Sequence, residues 1–162
     1  MTERTLVVLK PDAVGRGLVG RITARFEDAG MKIVGLRMTV IDDALARKHY
    51  SDLEERIGTP AFEAVCRYMQ SGPVVAMAIE GCDGTVAVVR KLVGATFPSD
   101  AGPGTIRGDL CHQGRRPAGA SDAVYNLIHA SGSVEEAQQE LALWFGVADV
   151  FAYTRCDETL TS

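Results

Sequence analysis

The sequence predicts an α+β fold: a ferredoxin-like (split βαβ) sandwich in which a four-stranded antiparallel sheet is covered by helices. Four short apolar runs rich in valine, isoleucine and leucine are interspersed with stretches of helical periodicity. In order, these segments read β-α-β-(α-α)-β-α-β-α, which suits a split βαβ arrangement. A length of 162 residues fits one domain over 1–162 that buries its own core without disulfides or metal.

The first two strands flank a clear amphipathic helix. Residues 5–9 form a continuous apolar and β-branched run, consistent with a central strand. Val19, Ile22 and Phe26 then recur at helical spacing and trace one buried face. Residues 32–41 are rich in Val, Ile and Leu and predict the second strand.

Candidate N-cap residues predict where the helices in the middle of the chain begin. Asp42 or Asp43 can cap a helix that extends through Leu53. Thr59 is followed by proline, which is favoured at the first helical position, so a further helix is expected to run to about residue 70. After a third buried strand over 74–79, Asp83 can cap the next helix.

A long segment over 95–124 carries no periodicity and is dominated by glycine, proline and arginine. A loop of this length inside a compact domain is usually functional or disordered. The polar residues 157–162 are expected to be a frayed tail.

The last strand and helix bring a histidine and a carboxylate into reach of each other. His129 ends a short apolar run, and Ser133 and Glu136 stand three apart as in a capping box, so a helix should begin near Val134. Glu140 lies off its apolar stripe and can turn toward His129. Although a lone histidine is more often structural, a nucleophilic imidazole needs this arrangement.

Composition and charge exclude several classes of protein. The net charge of −4 and the pI of about 5.4 do not favour binding to nucleic acid or to an anionic membrane. No apolar run approaches the length of a membrane-spanning helix, and the first residues lack a signal-peptide layout. Four scattered cysteines indicate reduced thiols in a cytoplasmic protein.

A glycine pattern resembles a dinucleotide-binding fingerprint but lies in the wrong context. Residues 15–20 match GxGxxG between a strand and a helix, and Asp42 follows about 20 residues on, as that motif requires. However, residues 10–14 separate the glycines from the strand, and repeated strand–helix units do not follow. A dinucleotide-binding domain is therefore a minor alternative.

The remaining cations fall at positions that suit phosphoryl transfer. Lys10 stands at a strand end, Arg90 lies on a helix before Thr96, and Arg107 follows in the glycine-rich segment. Each alone is more often a solvated surface charge. Together with His129 they make the set that phosphoryl transfer requires: cations, hydrogen-bond donors and a nucleophile.

At these residues the sequence resembles the nucleoside diphosphate kinases. The resemblance runs from about residue 3 to 145, and its motifs stand in the family's order: ERTL, KPD, RGLVG, HY, YMQSGPV, PGTIRGD and NLIHAS. In the family the glycines of the third motif belong to a turn and hold no cofactor. Long motifs in the right order are highly specific.

The resemblance implies a chemical role for five residues. His129 would be the nucleophile, taking the γ-phosphoryl group of ATP on one ring nitrogen and passing it to a second nucleoside diphosphate. Glu140 would hydrogen-bond the other nitrogen, and Ser131 would steady that carboxylate. Lys10 and Tyr50 would flank the transferred group.

It also implies how the nucleotide is bound. Arg90, Thr96 and Arg107 would grip the β- and γ-phosphates, and Asn126 would contact the sugar hydroxyls. Phe62 is the nearest aromatic residue for stacking on the base. Because residues 57–59 look like an insertion, Ala61 can instead occupy that position.

Further expectations concern the metal, the assembly and the alternatives. Mg²⁺ would ride on the nucleotide's phosphates without dedicated protein ligands, and the assembly would be a homo-oligomer, with a hexamer favoured over a tetramer. The segment 95–114 would form the active-site and subunit-contact loop, while 112–125 is longer than in many relatives. The alternative function is a nucleotide-binding or phosphorelay module without turnover.

Overall fold

A four-stranded antiparallel sheet forms the centre of the computed structural model, which describes residues 2–113 and 123–158. Its spatial order is β2-β3-β1-β4. The strands are β1 (Thr2–Leu9), β2 (Lys32–Thr39), β3 (Val74–Cys82) and β4 (Ile128–Ala130). Helices cover the sheet, so the predicted fold class is confirmed.

Helices connect the strands and pack on them. They are α1 (Pro11–Gly15), α2 (Val19–Glu27), α3 (Asp43–His49), α4 (Leu53–Ile57), α5 (Thr59–Met69), α6 (Thr85–Val93), α7 (Ile106–Leu110) and α8 (Val134–Trp144). Within residues 2–113 and 123–158, none of them is long and apolar enough to cross a bilayer.

Strand β1 is buried on both faces. Leu6 and Val8 belong to one apolar cluster, whereas Val7 and Leu9 belong to another, because successive side chains of a strand point to opposite faces. This double burial explains the continuous apolar run in the sequence. Val8 stands opposite His129 in the β1–β4 pair, so the buried part of β1 supports the candidate nucleophile.

The start of α6 differs from the sequence prediction. Asp83 does not cap this helix; its N-cap is Gly84, which has a φ of 88° and provides no side-chain bond. The carboxylate of Glu3 accepts instead from the backbone N–H of Val86 (2.6 Å) and of Gly84 (3.3 Å). Because β1 passes beside the helix end, a residue far away in sequence satisfies its free donors.

Two predictions for the middle helices need correction. Thr59 is the first residue of α5 rather than its N-cap, which is Gly58 with a φ of 81°. Asp42 does cap α3, accepting from Leu45 N at 2.8 Å. However, the chain leaves the helix at Tyr50 and α4 begins separately, so the single predicted helix is two.

The segment without periodicity contains short ordered elements. A 3₁₀ turn occupies Pro98–Asp100, and α7 follows, capped by Thr105, whose hydroxyl accepts from Gly108 N at 3.0 Å. Residues 114–122, which hold most of the extended loop predicted at 112–125, lie outside the described residues.

The C-terminal arm runs back along β2. Phe151 N donates to Val34 O at 2.7 Å, and Lys32 pairs with Glu158 at 2.6 Å. Residues 157 and 158 are the described part of the predicted frayed tail, and Asp157 pairs with Arg155 at 2.7 Å.

Candidate active site

A cleft of about 360 Å³ gathers most of the predicted site residues. It lies where the end of β1, the start of β4 and helices α3, α4, α6 and α7 meet. The predicted residues that line it are Lys10, Tyr50, Arg90, Thr96, Arg107, Asn126 and His129. Ser131 and Glu140 are buried behind His129, whereas Phe62 is elsewhere.

Helix α8 aims Glu140 at the histidine ring. The helix begins at Val134 as predicted, because the Ser133 hydroxyl accepts from Glu136 N at 3.2 Å. The reciprocal bond is shifted by one residue, since the Glu136 carboxylate accepts from Gly132 N at 2.7 Å. Two turns into the helix, the side chain of Glu140 is buried beneath the sheet.

The carboxylate of Glu140 defines the state of His129. Its Oε1 lies 2.8 Å from His129 Nε2, and its Oε2 accepts from the Ser131 hydroxyl at 2.6 Å. Burial raises the pKa of Glu140, and the Ser131 hydrogen bond opposes that rise. A carboxylate at Nε2 favours the tautomer with its proton there, which leaves the Nδ1 electron pair free.

The cleft keeps this imidazole neutral. Burial, followed by the charges of Lys10, Arg90 and Arg107, lowers the pKa of His129 to about 3. A neutral ring is the form that can act as a nucleophile.

A second histidine lies behind the first. The rings of His49 and His129 meet edge to face with centroids 4.4 Å apart, and Trp144 Nε1–H donates to His49 Nδ1 at 3.2 Å. Burial and the neighbouring His129 lower the pKa of His49 to about 3. No local pattern singles out His49, because nothing in the sequence shows that Trp144, in the last helix, reaches it.

His49, His129 and Glu140 are close enough to be considered as metal ligands, with their ligand atoms all within 4.8 Å of one another. Two contacts argue against this use. The Trp144 N–H occupies the Nδ1 electron pair of His49, and His129 Nε2 faces a carboxylate that is already bonded to Ser131. The cluster therefore holds the ring of His129, the candidate nucleophile, in place.

Arg107 organises the backbone around the site. Its guanidinium is 4% exposed and donates to four carbonyl oxygens, those of Gly94, Ala95, Asn126 and Ile128, at 2.6–3.1 Å. One of its five N–H groups is left for a ligand. Burial and nearby Arg90 lower its pKa to about 10, so it remains a cation at neutral pH.

Lys10 is a buried cation with an unusual titration. Its ammonium group donates to Asn126 Oδ1 at 2.8 Å, and the Asn126 amide donates to Thr96 O at 2.8 Å. Burial, together with the charge of Arg107, lowers the pKa of Lys10 to about 7. Arg90 is exposed and donates to Ala130 O at 3.1 Å.

Phe62 does not reach the cleft. It is 3% exposed in the core and packs under the guanidinium of Arg47, 5.6 Å from its ring centroid. Ala61 is also absent from the lining. Phe62 shares with Cys66 and Met69 the face of α5 that packs into the core, so the predicted contact with the base is not available there.

The cleft also has apolar lining residues, which sequence reasoning missed. Leu53, Ile57, Val65 and Val124 line it, and Ile57 is 44% exposed. Arg56 adds a cation to the same wall and pairs with Asp52 at 3.0 Å.

The glycines of the GxGxxG pattern lie outside the cleft. Gly15 ends α1, Gly17 has a φ of 67° in the turn that follows, and Gly20 lies in α2. They lie in and around the turn between α1 and α2. The alternative hypothesis of a dinucleotide-binding domain therefore finds no support.

A neutral histidine in a cleft lined by both cations and apolar side chains suits phosphoryl transfer from a nucleotide. A model of the family described as nucleoside diphosphate kinase matches residues 3–150 of this chain. The nucleoside diphosphate kinase of Pyrococcus furiosus is 51% identical over 153 residues, which cover 94% of this chain and 89% of that protein.

Two solved structures are similar over nearly the whole chain. The nucleoside diphosphate kinase from Borrelia burgdorferi, described as a transition state mimic with bound vanadate and ADP, gives a TM-score of 0.93 at 37% identity and covers 99% of this chain and 96% of its own. The nucleoside diphosphate kinase from Halobacterium salinarum, in complex with CDP, gives a TM-score of 0.87 at 38% identity. The match covers 100% of this chain and 99% of that chain. The chain belongs to the nucleoside diphosphate kinase family, and it is an enzyme that transfers phosphoryl groups between nucleotides.

Proposed function

We propose that the chain moves the γ-phosphoryl group of a nucleoside triphosphate, mainly ATP, to a nucleoside diphosphate by a ping-pong mechanism through phosphohistidine on His129. The contact between His129 Nε2 and Glu140 carries this proposal. It holds the ring by one nitrogen and leaves the other with an unshared electron pair.

The proposed transfer has two covalent steps, and both take place at the transferred phosphorus atom. The Nδ1 electron pair of His129 attacks the γ-phosphorus, and the bond to the bridging oxygen breaks, which releases a nucleoside diphosphate. A terminal phosphate oxygen of the second diphosphate then attacks the phosphohistidine and restores the neutral ring. Glu140 holds the Nε2 proton and stabilises the positive charge that the ring gains.

The remaining side chains of the cleft would bind and orient the phosphates. Tyr50 has a buried hydroxyl that lacks a hydrogen-bond partner among the described residues, and burial raises its pKa, so it stays a donor. Together with Lys10, Arg90, Arg107 and Thr96 it suits a polyphosphate whose charge must be balanced. Catalysis then rests on positioning and electrostatic stabilisation.

The carboxylates that line the cleft are engaged with other groups of the protein, which suits a metal ion that is bound by the nucleotide's phosphates. Asp52 and Glu136 line the described part of the cleft, and both are engaged, Asp52 with Arg56 and Glu136 with Gly132 N–H. We assign no residue of the chain as a metal ligand. Mg²⁺, when bound through the phosphates, would neutralise charge on the transferred group.

The apolar side chains of the cleft would hold the nucleobase. Leu53, Ile57 and Val124 line the cleft, and so does Asn126, which would contact the sugar hydroxyls. The ADP and CDP bound in the two similar structures support a nucleotide in this cleft. Aliphatic surfaces accept the faces of all bases, so we expect a weak base preference.

A homo-oligomer is part of this proposal, with a hexamer favoured and a tetramer as the alternative. Strand β2 is an edge of the sheet, and Leu36 and Met38 on it, with Val40 just after its end, are 55%, 58% and 64% exposed. An apolar sheet edge invites pairing with another chain. The four cysteines are free thiols, which fits the cytoplasm as the place where the enzyme works.

Labelling with γ-³²P-ATP tests the proposed mechanism. We expect an acid-labile, base-stable label on the wild type that added GDP discharges, and none on His129→Gln. A stable label that GDP does not discharge would favour the phosphorelay alternative. A label that persists on His129→Gln would contradict the role of this histidine.

A further inference from the structure

Leu127, two residues before His129, has a strained backbone. Its φ is 70°, and it is the one residue other than glycine with a positive φ among residues 2–113 and 123–158. Ile128 N donates to Asn126 O at 2.8 Å, which closes a three-residue γ-turn around Leu127. Turns of this kind with positive φ are rare and persist only where neighbouring groups hold them.

Two groups just after β1, at the start of α1, hold this turn. Asp12 Oδ2 accepts from Leu127 N at 3.1 Å, and Lys10 N donates to Leu127 O at 2.8 Å. Both backbone polar groups of Leu127 are therefore satisfied by one short segment. The Leu127 side chain is fully buried, which prevents the turn from moving outward.

The turn carries site residues on either side. Asn126, which accepts from the Lys10 ammonium at 2.8 Å, opens it, and His129 follows it on β4. The guanidinium of Arg107 binds the carbonyls of both Asn126 and Ile128. Any relaxation of Leu127 would shift the sugar-binding amide, the lysine contact and the nucleophile together.

We propose that Asp12 is a positioning residue for phosphoryl transfer, which acts by holding Leu127 in its left-handed conformation. Asp12 does not line the cleft, so it acts through the turn rather than on the nucleotide. Its other oxygen, Oδ1, accepts from the Tyr68 hydroxyl at 2.5 Å and from Ala13 N at 3.0 Å, which fixes the carboxylate. The inference rests on the function proposed above.

The measurement is the rate of His129 phosphorylation in a single turnover, taken as a function of ATP concentration. For Asp12→Ala we expect the rate at saturating ATP to fall roughly 100-fold, because a shift of about 1 Å in the reacting groups has that effect. Asp12→Asn keeps an oxygen for Leu127 N but turns its NH₂ group toward Ala13 N, so it should recover part of the rate. If Asp12→Asn is as slow as Asp12→Ala, charge rather than the hydrogen bond is responsible and the proposal fails.

A pair of variants at the turn tests the strain directly. Leu127→Ala and Leu127→Gly both remove the buried side chain, but only glycine adopts a positive φ without steric cost. We expect Leu127→Gly to be faster than Leu127→Ala by roughly fivefold, and by more when Asp12→Ala is also present. Equal rates for the two variants would overturn the proposal even if Asp12→Ala does not fold.

Controls separate this inference from the proposed function. Tyr68→Phe removes one of the two bonds to the other oxygen of Asp12, and Ala13 N still holds that oxygen, so the rate should fall by no more than a few-fold. If the wild type takes no label, the proposed function fails. If the wild type is labelled and Asp12→Ala reacts at its rate with an unchanged dependence on ATP, only the role of Asp12 fails.

Discussion

At the scale of single residues, the cleft sets charge states that differ from those in water. The pKa of His129 falls to about 3 and that of Lys10 to about 7, chiefly because both are buried. The histidine therefore stays neutral from pH 5 to 9, and its own titration does not limit the reaction there. Lys10 is different, since its charge is lost within this range.

We predict that kcat/KM for ATP decreases as the pH rises above about 7. This parameter reports ionisations of the free enzyme. The cationic form of Lys10 exists below its pKa of about 7, so the positive charge that attracts the γ-phosphate disappears above it. The measurement is a pH profile of kcat/KM between 6 and 9. Lys10→Met should lower kcat/KM by roughly 100-fold at pH 6 and abolish this decrease.

Lys10→Arg is the matched control, because arginine keeps its charge throughout this range. Any pH dependence that ATP itself contributes remains in this variant. A decrease with the same midpoint in Lys10→Arg would show that another group is titrating.

The sequence predicted a site residue where a local pattern points to it. His129 and Lys10 lie in motifs, Glu140 lies off the apolar stripe of its helix, and the structure brings the three together. The support from His49 was not predictable, because Trp144 reaches it across 95 positions of sequence. The burial of Phe62 was not predictable either, because the sequence does not show which face of α5 meets the core.

At the scale of elements, some helices are capped by residues next to them in sequence and one is capped by a distant residue. Asp42 and Ser133 cap the helices that directly follow them, so the sequence alone predicts both starts. The start of α6 depends on Glu3, which is 83 positions away from Val86. Only the sheet brings them together, so the sequence points to Asp83 instead.

This difference gives a stability prediction. Glu3→Ala removes the acceptor of two first-turn N–H groups of α6, so it should lower the free energy of unfolding by about 1 kcal/mol. Asp83→Ala, which removes the residue favoured by the sequence, should change it by less than about 0.5 kcal/mol. Urea titration of both variants beside the wild type measures the difference. Equal effects, or a larger effect at Asp83, would contradict the capping role of Glu3.

At the scale of the whole molecule, the sheet brings distant segments to one cleft. Lys10 follows β1, Arg90 and Arg107 come from α6 and α7, and His129 lies on β4, so this set of site residues comes together only in the folded chain. The opposite edge of the sheet, β2, lies away from this cleft. Assembly through that edge would therefore leave the active site open to nucleotides.

The final prediction concerns that edge. Met38→Lys places a charge in the middle of the exposed apolar row of β2, so it should shift the protein toward smaller species and raise the dissociation constant roughly 100-fold if this row is buried between chains. Val88→Lys, at a residue on α6 that is 44% exposed, is the control for an added surface charge. Sedimentation velocity across a range of concentrations distinguishes them. If Met38→Lys sediments like the wild type, the subunits meet through another surface.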